Sequence, residues 1–75
     1  MNDVFRLHGK PLTILRIRNG LKVTDVAKVL GVSISFVTAC EKNRRKLSEE
    51  HTNKFLELIG ISEEQAKAFV QIIEN

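Results

Sequence analysis

VTDVAKVLGVSISFVTACEK, residues Val23 to Lys42, reads at helical spacing as two short amphipathic segments joined by Leu30-Gly31-Val32-Ser33. Val26, Ala27 and Leu30 line one face of the first segment, and Val37 and Cys40 line one face of the second. Gly31 can close the first segment by entering the left-handed region without a Cβ penalty. Ser33 can start the second by capping its free N–H groups. Ala27, four residues before Gly31, removes bulk where two steeply crossed helices touch closest. Val37, six residues after Gly31, is the branched plug expected to face it.

Two readings of this pattern stand. One is a helix-turn-helix, whose second helix enters the DNA major groove. The other is a pair of consecutive core helices in an unrelated bundle. The Ala27–Gly31–Val37 spacing favours the first.

The chain has 75 residues, and one domain of this size buries only about 60% of its unfolded surface, leaving little for a deep substrate cleft. No apolar run approaches the ~20 residues of a membrane span, and no signal pattern opens the sequence, so a soluble, cytoplasmic protein with no membrane contact is expected. The single cysteine, Cys40, excludes an internal disulfide framework. It reads as a small buried hydrophobe, with a reactive thiol as the alternative. His8 and His51 have no partner at ligand spacing, so neither a metal nor another cofactor is expected. No nucleophile, paired carboxylate or phosphate loop stands at a useful spacing, and an enzyme is not expected.

The net charge of +3 hides a division. Residues 1–46 hold ten Lys or Arg against Asp3, Asp25 and Glu41, while residues 47–75 hold Lys54 and Lys67 against six Glu. One end of the chain suits a polyanion and the other does not.

Outside the central stretch, residues 1–9 admit three readings: a short strand, an arm crossing to a partner, or a tail docked through Phe5 and Leu7. Pro11 suits the first turn of a helix, Leu12 and Leu15 give it a buried stripe, and Asn19-Gly20 stops it. Leu21 is expected to fold back into the core. Beyond Lys42, Asn43-Arg44-Arg45-Lys46 is a basic loop with Asn43 as a left-handed cap. Ser48 caps a fourth helix buried through Phe55, Leu56 and Ile59 and ended by Gly60. Ser62-Glu63-Glu64-Gln65 is a capping box opening a fifth helix, residues 62–74, with Ala66, Phe69, Val70 and Ile73 on one stripe. Ile72 lies off that stripe; it is either incidental or widens the apolar face enough for a second molecule to pack there. The expectation is an all-α fold, a compact five-helix bundle spanning residues 1–75.

The run from Gly9 to about Phe69 resembles the Xre-type, phage-repressor-like (lambda repressor-like) helix-turn-helix DNA-binding domain. The matching features are Leu12 with Leu15-Arg16, Asn19-Gly20-Leu21, Asp25-Val26-Ala27, Leu30-Gly31-Val32-Ser33, Phe36-Val37-Thr38, Glu41-x-Asn43-Arg44-Arg45 and Ile59-Gly60-Ile61-Ser62. The resemblance implies operator binding as a homodimer, with the third helix in the major groove. It also implies an ion pair between Arg16 and Glu41 that ties the first helix to the third, a directional fork in physical terms. The sequence departs from the family at Lys22-Val23, where many members carry Ser-Gln, and at Asn43, where glycine is common.

On this reading the base-facing set is Ile34, Ser35, Thr38 and Ala39, with Ser33 at the cap and Lys42 at the far end. The set lacks the forked side chains that pair with guanine and adenine. Specificity is therefore expected from thymine-methyl contacts, single hydrogen bonds and DNA shape. Phosphate contacts are expected from Lys22, Thr24, Arg44, Arg45 and Lys46. Phe36 is either a packing partner for the fourth helix or a cover over the sugar–phosphate wall. The dimer candidates are Phe69, Ile72 and Ile73. The function expected is a transcriptional repressor acting on double-stranded DNA from a phage, mobile-element or antitoxin setting. The alternative is a protein-binding module on the same fold, such as an antitoxin, an antirepressor or a phage inhibitor of a host protein.

Overall fold

The structure, a computed structural model, describes residues 4–74. Their helices are α1 (Gly9–Arg18), α2 (Val23–Leu30), α3 (Ile34–Glu41), α4 (Glu49–Ile59) and α5 (Glu63–Glu74), with no strand among the described residues. α2 and α3 cross at 114°. No single described helix is long and apolar enough to cross a membrane.

Four of the helices end in one way. The first or second residue past the helix takes positive φ (Gly20 +69°, Gly31 +71°, Asn43 +67°, Gly60 +75°), and the next N–H reaches back to the carbonyl five residues earlier. Those second bonds are Leu21 to Arg16, Val32 to Ala27, Arg44 to Ala39 and Ile61 to Leu56, at 2.9–3.2 Å. This is the Schellman closure, which satisfies carbonyls the helix leaves open and turns the chain sharply. In three of the four the residue donating this second bond is apolar and packs against the core: Leu21, Val32 and Ile61. At the end of α3 it is the exposed Arg44.

The starts are equally local. Ser33 Oγ accepts from Phe36 N at 3.0 Å, and Ser48 Oγ accepts from His51 N at 3.0 Å. Ser62 and Gln65 bond reciprocally across the start of α5. Lys22 cannot cap α2 with its side chain, so Asp25 reaches back and accepts from the Lys22 N–H at 2.8 Å.

The core gathers Leu7, Leu12, Leu15, Val26, Ala27, Leu30, Val37, Cys40, Leu47, Phe55, Leu56 and Ala66 from all five helices and the segments between them. Burial raises the pKa of the Cys40 thiol above its ordinary value, with Arg45 and Arg6 pulling the other way. Val37 is fully buried, and Val26, Ala27, Leu30, Val37 and Cys40 share one buried cluster. A Cβ built on Gly31 meets nothing within 4 Å, so glycine is there for its backbone angle.

Residues 4–8 are a docked segment, the third of the readings open to them; Met1 to Asp3 lie outside the described residues. Leu7 is buried, its N–H donates to Thr52 Oγ1 at 3.1 Å, and its carbonyl accepts from Leu47 N at 3.1 Å. Thr52 is itself buried, so this bond satisfies two groups that would otherwise be stranded.

Because the space at Gly31 is open, only backbone strain opposes a side chain there. Gly31→Ala should cost about 1 kcal/mol and Gly31→Asn clearly less, read by thermal unfolding. Equal stability of all three forms would show that the turn does not need the left-handed angle.

Candidate nucleic-acid interface

Successive residues on α3 turn by about 100°. Val37 and Cys40 point into the core, which puts Ser35 and Lys42 at the centre of the opposite face. Ser35 and Lys42 are exposed, and Ile34 is 51% exposed at the leading turn. Thr38 and Ala39 were expected on the open face, but both are half-buried. The helical turn explains this: they sit on the two shoulders, about 50° from the centre, and with only eight residues the helix offers few fully open positions. Ser33 is exposed at the cap; its oxygen accepts from Phe36 N, which leaves its O–H free to donate.

α2, α4 and α5 carry Asp or Glu in the first turn, whereas α1 and α3 carry none. The positive end of the α3 dipole is therefore uncompensated, as an approaching phosphate requires. Lys22 and Thr24 are exposed at the start of α2, and Lys42, Arg44, Arg45 and Lys46 are exposed beyond α3.

The basic loop is held on both sides. Arg44 and Arg45 N–H groups both donate to Ala39 O. Arg6 Nε donates to Leu47 O at 3.0 Å and Arg6 Nη2 to Lys46 O at 3.3 Å. His8 Nδ1 pairs with Asn43 Oδ1. The Arg45 guanidinium lies 5.5 Å from the centroid of the Phe36 ring, which returns the loop to the first turn of α3. The roles of Arg6 and His8 were not anticipated, since their partners lie 35 to 41 residues away and no local pattern announces them.

Arg16 and Glu41 meet. Arg16 Nε donates to Glu41 Oε2 at 2.6 Å, Nη2 to Glu41 Oε1 at 3.2 Å, and Nη1 to Leu21 O at 2.9 Å. The side chains are 14% and 10% exposed. One guanidinium thus ties α1, the α1–α2 turn and the end of α3, and it occupies a carboxylate that would otherwise repel a phosphate beside Lys42.

The other predicted residues lie elsewhere. Phe69 and Val70 pack on the protein's own core and Ile73 is half-buried, so Phe69 and Ile73 are not free surface; Ile72 is 73% exposed. Among the described residues no cluster of His, Cys, Asp and Glu is arranged to hold a metal ion.

Two short helices crossing at a glycine turn, with an exposed leading edge and a braced cationic loop, define a helix-turn-helix protein. A family model for the helix-turn-helix domain matches residues 9–69, most of the chain, and the protein belongs to that family. No curated protein and no solved structure matches it. Family membership points to a DNA-binding regulator.

The Arg16 fork generates a direct test. Glu41→Gln keeps the shape but removes the charge, and should cost about 1–2 kcal/mol in chemical denaturation. Arg16→Lys should lose as much, because an ammonium cannot hold both carboxylate oxygens and the Leu21 carbonyl at once. Two variants as stable as the parent would show the pair to be an idle surface contact.

Proposed function

We propose that the protein is a sequence-specific regulator of the Xre type, a cytoplasmic repressor that binds a two-fold symmetric operator as a homodimer. α3 lies in the major groove, with Ser35 at the centre of the contact and Ile34 against thymine methyl groups at its leading end. Thr38 and Ala39 touch the groove walls from their shoulder positions, Ser33 donates at the cap, and Lys42 closes the far end. Lys22, Thr24, Arg44, Arg45 and Lys46 take the flanking phosphates. Few hydrogen-bonding forks face the bases, so DNA shape carries much of the discrimination.

The observation behind this reading is the loop of residues 43–46. It carries three adjacent cations, yet its backbone is held by Ala39 and Arg6, and its first side chain, Asn43, pairs with His8. A loop that only needed solvation has no use for such bracing. A dimer through α5, centred on Ile72, presents two such units to adjacent grooves on one side of a duplex.

Selection of duplexes from a random pool, followed by gel shift at two salt concentrations, tests the proposal. A two-fold symmetric site should emerge. With about three phosphates neutralised per protomer, log K should fall against log salt with a slope of about −5. A flat salt response would contradict the proposal. So would a doubly reversed Arg44→Glu, Arg45→Glu protein that keeps its cellular function while Ile72→Asp abolishes it. That second pattern identifies a protein-binding module instead.

A further inference from the structure

The Phe36 ring has two charged or polar neighbours in addition to its place at the edge of the core. The Arg45 guanidinium lies 5.5 Å from its centroid. The His51 ring also meets it in a T-shaped arrangement, with centroids 6.3 Å apart and the planes at 69°. His51 is in turn fixed at the start of α4, where its N–H is capped by Ser48. Phe36 thus links His51 of α4 to Arg45 of the basic loop through the first turn of α3.

Among the described residues the Arg45 guanidinium makes no hydrogen bond and no ion pair. All five of its N–H donors are uncommitted, although its backbone is held by Ala39 O. An exposed arginine without a partner samples many rotamers, and that freedom is lost when it binds a phosphate. A ring face attracts a guanidinium through its quadrupole and leaves the edge donors pointing outward. Lys46 and Arg44 are equally exposed, and neither faces a ring.

We propose that Phe36 is a positioning residue for DNA binding, whose ring holds the Arg45 guanidinium in the orientation that meets a backbone phosphate. His51 contributes a T-shaped contact to the same ring. The proposal rests on the phosphate-contacting role given to the loop above, and it adds that one arginine is pre-oriented whereas its neighbours are not. It also resolves the two readings of Phe36: the ring packs against the core with one surface and serves the interface with the other.

The test separates the size of the ring from its charge distribution. Site-specific replacement of Phe36 by pentafluorophenylalanine keeps the shape and reverses the quadrupole, so packing is preserved while attraction for the cation is lost. Affinity for the selected duplex is measured by fluorescence anisotropy, with Phe36→Tyr as the variant that keeps the ring face. The fluorinated protein should bind about three-fold more weakly per protomer, Phe36→Tyr should bind as the parent does, and fluorination should have no effect in an Arg45→Ala background. Equal losses with and without Arg45 would overturn the proposal, as would undiminished binding by the fluorinated protein when Arg45→Ala is itself impaired. If Arg45→Ala leaves affinity and salt slope unchanged, Arg45 has no phosphate role and the proposal falls with that reading.

Discussion

The Arg16 guanidinium is the joint on which the presentation of α3 depends. Its three donors reach both oxygens of Glu41 and the carbonyl of Leu21, so α1, the turn before α2 and the last residue of α3 share one rigid fork. A point charge would allow α3 to swing about the contact. A planar fork fixes its direction as well as its distance. Partial burial strengthens the interaction by keeping water from competing for the carboxylate. At its other end α3 is set by the Ser33 cap and the glycine turn, so both ends of a two-turn helix are fixed to the body that carries them.

That rigidity extends into the loop through a small change of residue type. Four helices close with the same backbone geometry, and three use an apolar side chain just past the turn to seal the end against the core. At α3 the corresponding residue is Arg44, followed by Arg45 and Lys46. The backbone closes with the same bond as at the other ends, but the side chains face solvent. Structural economy alone favours an apolar residue there, and a cation in its place is what a polyanion-binding surface requires. The sealing task passes to Leu47, which is buried and pairs with Leu7.

The helices and most of their ends were legible in the sequence because each is decided within a few residues. Gly31, Gly60, Ser33, Ser48 and the Ser62–Gln65 box act on their own neighbours, and the apolar stripes follow the 3.6-residue period. The bracing of the loop was not legible. Arg6 and His8 are unremarkable in their own neighbourhoods, Asn43 announces a cap but not its bond to His8, and the Thr52–Leu7 bond joins residues 45 apart. A threonine on the apolar face of α4 was the available signal, since a buried hydroxyl needs a partner. The open face of α3 proved narrower than its residues suggested, leaving Thr38 and Ala39 on the shoulders.

As a recognition helix, α3 would place its leading end in the major groove. Intermolecular nuclear Overhauser effects in the complex with the selected duplex test it most directly. The methyl groups of Ile34 and Thr38 should show contacts to thymine methyl and other major-groove base protons. A bound duplex in which these methyls contact no base proton, or only minor-groove protons, would contradict it.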